Sequence, residues 1–283
     1  MPEGDSVFQT ARALSAALAG SQLIEAQIRH PRYATVDLVG RTVLEVASVG
    51  KHLFVRFDEG LSMHNHLRMD GSWRISAPGE RWRAPGHQVR VVLGTARRVA
   101  LGVRVHDLAF VRTAREQELV GHLGPDLLGA DWGEESVAEA ARRLGVDADR
   151  EIGLALLDQT IMAGIGNVYR SELCFLLGVS PWVPVGSVEA ERAVRLARTL
   201  LLRNATTPIR NTTGDRAPGR QLWVYGRAGR PCLRCGTAVR SAEQGNSARQ
   251  GSSARQGNSA ARGKDVPSRV TWFCPKCQPG PTP

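Results

Sequence analysis

The spacing of apolar residues changes near residue 131, and this change constrains the fold more than any other feature of the sequence. A first helical stretch, which Gly20 is placed to end, is followed from about residue 22 to 115 by the alternation typical of half-buried β-strands. From about Asp131 the apolar residues recur every three or four positions, as in amphipathic helices. The pattern predicts an α+β multidomain protein, with an N-terminal helix plus β-sandwich at 1–123, a linker at 124–132 and a helical domain at 133–224.

The last segment, residues 225–283, holds four of the five cysteines as two Cys-x-x-Cys pairs. Cys232 with Cys235, and Cys274 with Cys277, can each offer two thiolates to one tetrahedral ion, so the spacing indicates a structural zinc site for one ion. A disulfide pairing would need an oxidising compartment. The fifth cysteine, Cys174, lies in an apolar run and is predicted to be a buried, inert thiol.

Three short polar repeats lie between the two cysteine pairs, at residues 244–262. They contain no large apolar side chain and cannot bury enough surface to fold, so we expect a disordered insertion over residues 241–265. The repeats are either a neutral insertion or an arginine-bearing tether that raises nonspecific affinity for a polyanion, and the sequence leaves both interpretations open.

The net charge of +10 comes from one end of the chain. Residues 1–215 contain 25 basic and 25 acidic side chains, whereas residues 216–283 contain 12 and 2. This distribution favours a polyanionic partner bound near the C-terminal end, although a solvated arginine-rich tail would have the same composition. No apolar run approaches the roughly 18 residues of a membrane-spanning helix, and the first residues do not resemble a secretory signal, so we expect a cytoplasmic protein.

The second and third residues form an unusual pair. Removal of Met1, the normal fate when a small residue follows, would expose the secondary amine of Pro2 beside the carboxylate of Glu3. A generic α-amino group titrates near 8, against about 10.4 for lysine, so it is more readily available as a neutral nucleophile. Attack on an aldehyde-like carbon would give an iminium, which favours elimination. By itself, however, a proline at position 2 is more often an ordinary N-terminus.

Several further residues have side chains suited to DNA. Lys51 is one of only three lysines beside 34 arginines; its compact ammonium can hold a phosphate or give up a proton, although it could equally be a surface lysine. Asn167 follows a Gly-x-Gly at a predicted helix start, where backbone N–H groups can approach a phosphate. Arg269 precedes the second cysteine pair on a predicted β-hairpin, where it could contact a phosphate.

Met69 ends another predicted hairpin and is either a wedge inserted between bases or a core residue. His64 and His66, on one strand face, lack an evident third metal ligand.

These segments together resemble the formamidopyrimidine-DNA glycosylase/endonuclease VIII family of base-excision repair enzymes. The resemblance spans essentially the whole chain and rests on motifs in the family's order: MPEGD at the start, GKHLFVRF, HLRMDGSW, HLGPDLL, LLDQTIMAGIGNVYRSEL and the closing cysteine pattern. It is strongest for the endonuclease VIII branch found in high-GC actinobacteria. It implies a catalytic β-sandwich, a helix-two-turn-helix domain and a C-terminal zinc-finger β-hairpin.

The resemblance also implies a role for each candidate residue. Pro2 would form a Schiff base with C1′ of the damaged nucleoside, and Glu3 would manage protons at the opening sugar ring. Lys51 would assist catalysis and contact the backbone. The family's phosphate-holding positions fall on His66, Asn167 and Arg269, and its void-filling wedge falls near Met69. The implied enzyme is a bifunctional DNA glycosylase and AP lyase that binds damaged duplex DNA as a monomer, with one structural zinc and no small-molecule cofactor.

Two departures from the family pattern matter for substrate choice and for the zinc finger. The Pro-Arg-Arg-Phe-Gly segment typical of formamidopyrimidine-DNA glycosylases is replaced by residues 104–112, which favours oxidised pyrimidines over 8-oxoguanine. In addition, 38 residues separate Cys235 from Cys274, and the polar repeats account for the excess. Two rival hypotheses are a zinc-dependent DNA-binding protein without catalysis and an amine-nucleophile enzyme that does not act on nucleic acid.

Overall fold

The computed structural model describes residues 2–245 and 268–283. They form two compact units. The first unit contains residues 2–134 together with Met162–Gly164 and Leu201–Pro208. The second unit contains Glu135–Ile161, Ile165–Leu200 and the described part of Ile209–Pro283. Two short pieces of the helical half of the sequence therefore belong to the first unit, which a division by sequence order did not anticipate.

The first unit consists of one long helix and two antiparallel sheets. Helix α1 (Gly4–Leu18) precedes a five-stranded sheet in the order β1-β3-β4-β5-β9 and a four-stranded sheet in the order β2-β7-β8-β6. The strands are β1 (Ser21–Gln22), β2 (Glu25–Ile28), β3 (Thr42–Val49), β4 (His52–Phe57), β5 (Leu61–His66), β6 (Ser72–Ser76), β7 (Val89–Gly94), β8 (Val99–Val103) and β9 (Asp107–Arg112). A short helix, α2 (Gln117–Val120), follows.

A single apolar core joins α1 to both sheets. Val7, Leu14 and Leu18 of the helix pack with residues such as Phe57 of the first sheet and Leu93 of the second. Helix α1 ends at Leu18, and Gly20 adopts the left-handed backbone conformation, with φ of 73°, as expected of a helix-ending glycine. The predicted N-terminal helix and β-sandwich are therefore confirmed.

The second unit is helical and carries a two-stranded hairpin. Its elements are α3 (Glu134–Leu144), α4 (Ile152–Ala155), α5 (Asn167–Leu177), α6 (Ala190–Ala205), β10 (Arg240–Gln244) and β11 (Arg269–Phe273), although Glu134 and the end of α6 from Leu201 fall in the first unit. Helix α4 is only four residues long. The side chain of Asp158 accepts hydrogen bonds from the backbone N–H and the hydroxyl of Thr160, and this local turn replaces further helix.

The hairpin differs from the sequence prediction at one end. Strands β10 and β11 pair in antiparallel register from Arg240 opposite Phe273 to Gln244 opposite Arg269, so residues 241–244, which we expected to begin a disordered insertion, form a strand. Only 2% of Gln244 is exposed, because its amide donates to Glu151 and to the carbonyl of Pro181, both at 2.8 Å. The rest of the predicted insertion, from residue 246, lies outside the described residues.

Candidate active site and DNA-binding elements

The N-terminal residues lie at the start of helix α1, in the first unit. Glu3 is the N-cap residue of α1 and is fully buried, and its backbone N–H donates to the Ser6 hydroxyl at 2.9 Å. The next backbone N–H, that of Gly4, donates to the carbonyl of Gly164 at 2.9 Å. A Cβ atom on Gly4 would lie 2.9 Å from the Gly164 Cα, so only glycine permits this approach. Pro2 is thereby held, half-buried, just before the helix.

The turn that carries Lys51 approaches the same short segment. Gly50 has φ of 57°, and its N–H donates to the Asp126 carboxylate at 2.9 Å. A Cβ atom on Gly50 would lie 2.8 Å from the Cβ of Ala163. Ala163 and Gly164 therefore contact both Gly50, which precedes Lys51, and Gly4, which follows Glu3, so the backbone segments that carry the three predicted catalytic residues approach the same short segment of the first unit.

Neither Asp126 nor the Ala163–Gly164 segment was predicted as part of this site. The Gly-x-Gly was predicted to let backbone N–H groups at the helix start approach a phosphate, and the structure adds a second role, because the carbonyl of Gly164, with φ of 118°, accepts a hydrogen bond from the Gly4 N–H. The sequence did contain a signal for close backbone contacts, because glycines at positions 4, 50 and 164 lie within a few residues of the candidate residues. It could not show that they pack against one another.

His66 and Met69 lie at the end of strand β5 in the first unit. The side chain of Met69 is 64% exposed, which fits a wedge and argues against a core position. His66 Nδ1 accepts the backbone N–H of Arg68 at 3.0 Å. Burial, followed by the charges of Arg68 and Lys51, lowers the pKa of His66 to about 4, so this imidazole is neutral near pH 7.

Four histidines gather on this part of the first sheet, a feature that the sequence did not reveal. The His52 and His64 rings stack and share a hydrogen bond of 2.8 Å between Nδ1 and Nε2. The rings of His66 and His122 pack edge-on against His52. Burial and then the neighbouring histidines lower the pKa of His52 to about 3. Because strands β4 and β5 pair His52 with His66, only strand register could have predicted this cluster.

In the second unit, Asn167 is the first residue of helix α5 and faces the hairpin. Gly166 is the N-cap, and the Asn167 amide donates to the carbonyl of Val270 at 2.9 Å. The fully buried guanidinium of Arg170 donates to the Asn167 amide oxygen and, at 3.0 Å, to the same Val270 carbonyl. Arg269, the neighbour of Val270, is exposed on β11. The structure therefore brings Asn167 and Arg269 together, and Arg170, which the sequence analysis missed, ties their two elements.

A second residue that the sequence analysis missed orders the chain that leads to the cysteines. The Glu172 carboxylate is fully buried and accepts the backbone N–H groups of Trp223, Val224 and Tyr225 at 2.8–2.9 Å. Burial raises the pKa of this carboxyl group, while the hydrogen bonds oppose that rise. One helix residue thus fixes three consecutive peptide groups before Cys232.

The four paired cysteines converge in the second unit. Their sulfur atoms all lie within 4.8 Å of one another, with 3.9 Å between Cys232 and Cys277 and 3.5 Å between Cys235 and Cys274. Tetrahedral Zn²⁺ with bonds of about 2.3 Å requires sulfur separations of about 3.8 Å, whereas a disulfide requires about 2.05 Å. The cluster could hold a metal ion, and it is the one such group among residues 2–245 and 268–283.

Cys174 stands apart from the metal-binding group. It is fully buried on α5, and burial raises the pKa of its thiol to about 12. A thiol that is protonated and inaccessible is unreactive, as predicted.

Comparison with known proteins identifies the family. The family description "Formamidopyrimidine-DNA glycosylase N-terminal domain" matches residues 1–124, and "Formamidopyrimidine-DNA glycosylase H2TH domain" matches residues 123–207. The chain belongs to the formamidopyrimidine-DNA glycosylase/endonuclease VIII family. This confirms the resemblance, the fold and the predicted enzyme class, a DNA-repair glycosylase with AP lyase activity.

Curated relatives match over the full length of the chain. "Probable endonuclease 8 2" of Streptomyces coelicolor is 55% identical, over 100% of this chain and 96% of that protein. "DNA-(apurinic or apyrimidinic site) lyase Nei2" of Mycolicibacterium smegmatis is 47% identical, over 98% and 99%. A formamidopyrimidine-DNA glycosylase of Methylococcus capsulatus is 28% identical, over 98% and 100%.

Solved structures share the fold. A complex of Lactococcus lactis Fpg with DNA containing N7-benzyl-Fapy-dG superposes with a TM-score of 0.75 at 21% identity, covering 99% of this chain and 100% of that chain. A complex of the same protein with DNA containing an abasic site gives the same values. Among the described residues, no helix is both long and apolar enough to cross a membrane.

Proposed function

We propose that the protein removes oxidised bases, with pyrimidines favoured, from duplex DNA and then cleaves the strand by β,δ-elimination through a Schiff base on Pro2. The observation that carries the proposal is the meeting of the Pro2–Glu3 segment and the Lys51 turn on Ala163 and Gly164. These segments carry an amine, a carboxylate and an ammonium group, the set that such a reaction needs.

The Pro2 amine acts as the nucleophile once Met1 has been removed. Its nitrogen bonds to C1′ of the damaged nucleoside, the bond from C1′ to the base breaks, and the base leaves with a proton. Opening of the sugar ring gives an iminium, which withdraws electrons from the C2′–H bond. Loss of that proton expels the 3′ phosphate, and a second elimination expels the 5′ phosphate. Hydrolysis of the iminium then frees the enzyme.

The start of helix α1 favours the nucleophilic form of the Pro2 amine. The positive end of a helix macrodipole disfavours an added proton on a nearby amine and stabilises a nearby carboxylate. Pro2 and Glu3 stand at that end of a 15-residue helix. The neutral, nucleophilic form of the Pro2 amine is therefore favoured, and Glu3 is proposed to exchange a proton with the sugar-ring oxygen.

Lys51 and His66 are proposed to hold the phosphate groups beside the reacting sugar. Because His66 Nδ1 accepts a backbone N–H, the proton of the neutral ring lies on Nε2, which is then a donor. His66 would therefore contact a phosphate as a neutral hydrogen-bond donor, while Lys51 supplies the positive charge. Met69, exposed at the adjacent turn, would fill the space that the displaced base leaves.

The second unit is proposed to bind the DNA backbone through Asn167 and Arg269. Arg269 is exposed and positively charged, and the hydrogen bonds through Val270 fix its strand to helix α5. A zinc ion held by Cys232, Cys235, Cys274 and Cys277 would lock the base of this hairpin. The ion would contribute structure and take no part in the reaction.

The preference for oxidised pyrimidines rests on the chain between strands β8 and β9. Residues 104–106 form a short turn there, and Asp107 already begins β9. Two relatives named endonuclease 8 are 55% and 43% identical to this chain, against 28% for the formamidopyrimidine-DNA glycosylase of Methylococcus capsulatus. A panel of single-lesion duplexes should show faster excision of dihydrouracil and thymine glycol than of 8-oxoguanine. Faster excision of 8-oxoguanine would contradict this preference.

Borohydride trapping tests the nucleophile directly. Incubation with a dihydrouracil duplex and borohydride should give a covalent adduct, and peptide mass spectrometry should place it on Pro2. Protein that retains Met1 or is acetylated on Pro2 should form no adduct and should not cleave. Lys276→Ala is the matched control: it removes an exposed lysine between Cys274 and Cys277, leaves all four cysteines in place and should trap normally. An adduct on a lysine, or normal cleavage by blocked protein, would refute the Pro2 mechanism.

A further inference from the structure

Two turns in the first unit lie side by side, and each connects one sheet of the sandwich to the other. The Met69 turn (Leu67–Gly71) runs from β5 to β6, and the Arg104 turn (Arg104–His106) runs from β8 to β9. Strand register places them together, because His66 pairs with Asp107 and Ser72 pairs with Val103. The exposed Met69 side chain belongs to the first of these turns.

Each turn contains an arginine in a backbone conformation that side chains normally avoid. Arg68 has φ of 53° and Arg104 has φ of 54°. Among the described non-glycine residues, only Glu59 shares this left-handed conformation. Such strain persists only where neighbouring contacts hold it, and it concentrates at functional sites.

The contacts that hold the two arginines are reciprocal. Arg68 of the Met69 turn pairs with Asp107, at the end of the Arg104 turn, at 2.8 Å. Arg104 pairs in the opposite direction with Asp70, the residue after Met69, at 3.6 Å. A single exposed ion pair restrains little. Two pairs in opposite directions restrain both turns, because neither turn can shift without breaking one of them.

Further contacts fix the base of the Met69 turn. The Gly71 N–H donates to the Leu67 carbonyl at 2.9 Å, and a Cβ atom on Gly71 would lie 2.5 Å from that oxygen. Below the turn, the Trp73 indole donates to the Asn65 amide oxygen at 3.3 Å. Hydrogen bonds therefore hold the two ends of the Met69 turn together, and the ion pairs of Arg68 and Asp70 restrain the residues on either side of Met69.

We propose that Asp70 and Asp107 are positioning residues, which hold the Met69 turn in the geometry that inserts Met69 into the duplex when a damaged base is displaced. This inference rests on the proposed function and adds two residues to it. Carboxylates near a phosphate backbone oppose DNA binding. Their presence beside Met69 is therefore explained by geometry and not by affinity.

The first experiment compares two substrates. The double variant Asp70→Asn/Asp107→Asn removes both ion pairs at constant volume. Its single-turnover excision of dihydrouracil should fall by about tenfold or more, since small misplacements carry large rate penalties. Cleavage of a preformed abasic site, where no base must be displaced, should fall by less than about threefold. Equal losses on both substrates, or no loss, would overturn the proposal.

Glu59→Gln is the matched control. Glu59 also combines a left-handed backbone, with φ of 54°, and an exposed ion pair, to Arg41 at 3.1 Å, but it lies before β5 and the Met69 turn lies after it. This variant should excise dihydrouracil at the normal rate. A matching loss in Glu59→Gln would show that the effect comes from general destabilisation and would overturn the proposal.

A double-mutant cycle tests whether the carboxylates act through Met69. If they do, adding Met69→Ala to the double Asn variant should give the rate of Met69→Ala alone. Multiplicative losses would mean that the carboxylates act elsewhere.

An NMR measurement separates this proposal from the proposed function. The ¹³C-methyl resonance of Met69, assigned with Met69→Leu, should shift or broaden in the double Asn variant and stay unchanged in Glu59→Gln. An unchanged resonance in the double variant would show that the ion pairs do not hold the turn. If the natural protein neither traps nor excises, the proposed function fails, and the resonance still decides whether the two aspartates position Met69.

Discussion

In the first unit, the segments that bear Pro2 and Lys51 meet through backbone contacts that leave no room for a side chain, at Gly4, Gly50 and Gly164. In the second unit, Asn167 and the hairpin meet through a buried guanidinium, and four cysteines lie close enough to share an ion. Contacts through a side chain or a metal ion are lost altogether when one hydrogen-bond donor or one metal-binding group is removed. Close backbone contacts are instead disturbed by an amount that grows with the volume of the side chain added at the glycine. The two regions should therefore respond differently to substitution.

The largest effect should follow loss of the metal site in the second unit. Structural zinc contributes on the order of 10 kcal/mol to its module, so Cys274→Ser should release the ion, unfold the hairpin and abolish duplex binding while the β-sandwich remains folded. Zinc content by mass spectrometry and binding by fluorescence anisotropy would measure this. Cys174→Ala, at the buried thiol outside the cluster, should keep its zinc. Normal binding by zinc-free protein would remove the structural role of the ion.

Replacement of Arg170 should give the next largest effect. Arg170→Met leaves the Asn167 amide oxygen without its buried donor and the Val270 carbonyl with one donor, the Asn167 amide, instead of two; loss of a buried hydrogen-bond partner costs roughly 1–3 kcal/mol. We expect a loss of about 3 kcal/mol in the free energy of unfolding, measured by urea denaturation, with weaker duplex binding. The control Arg142→Gln removes an exposed arginine of α3 paired to Glu139 and should change stability by under about 1 kcal/mol. Equal losses of stability in the two variants would contradict the conclusion that the buried Arg170 holds helix α5 to strand β11.

A graded loss is expected where the Lys51 turn meets Ala163. Gly50→Ala adds a methyl group 2.8 Å from the Ala163 Cβ, whereas Gly60→Ala, at a similar positive φ, meets nothing within 4 Å. Both variants carry backbone strain of about 1 kcal/mol. Gly50→Ala should lose about 1–2 kcal/mol more than Gly60→Ala by overpacking, and its Schiff-base trapping should slow. Identical stabilities of the two variants would mean that Ala163 moves away from the added methyl group at no cost in free energy.

The smallest effect concerns the histidine cluster and pH. The folded pKa values of His52 and His66, about 3 and 4, lie below the unfolded value of 6.5. Below pH 6.5 the unfolded chain binds more protons than the folded one, so stability is fully present above that pH and falls as pH drops toward 4. Allowing for partial exposure, the loss from pH 7 to pH 6 should be about 1 kcal/mol.

Urea denaturation at several pH values would measure the effect of the cluster. His52→Phe should flatten the dependence, and His87→Gln, at an exposed histidine outside the cluster, should not. A dependence that His52→Phe leaves unchanged would place the titrating groups elsewhere.

The β-sandwich, the long helices and the hairpin before Cys274 could be predicted because each rests on a local pattern. Phe57 and Leu61 face each other across the Asp58–Gly60 turn, as the alternation of apolar residues indicated. The limits of elements were harder to predict. Helix α4 stops at Ala155, where a side-chain turn competes with it, and β10 extends to Gln244, whose polar side chain finds partners only in the folded chain.

The sequence by itself determined the family, the order of elements and the grouping of the four paired cysteines, since periodicity, turn residues and motif spacing are all local along the chain. Only the tertiary structure decided which residues support the candidate site. These residues act through contacts between segments far apart in sequence: Asp126, Ala163, Arg170, Asp70 and Asp107. The energy of such a contact depends on the distance between atoms and not on their separation along the chain, so no local pattern encodes it.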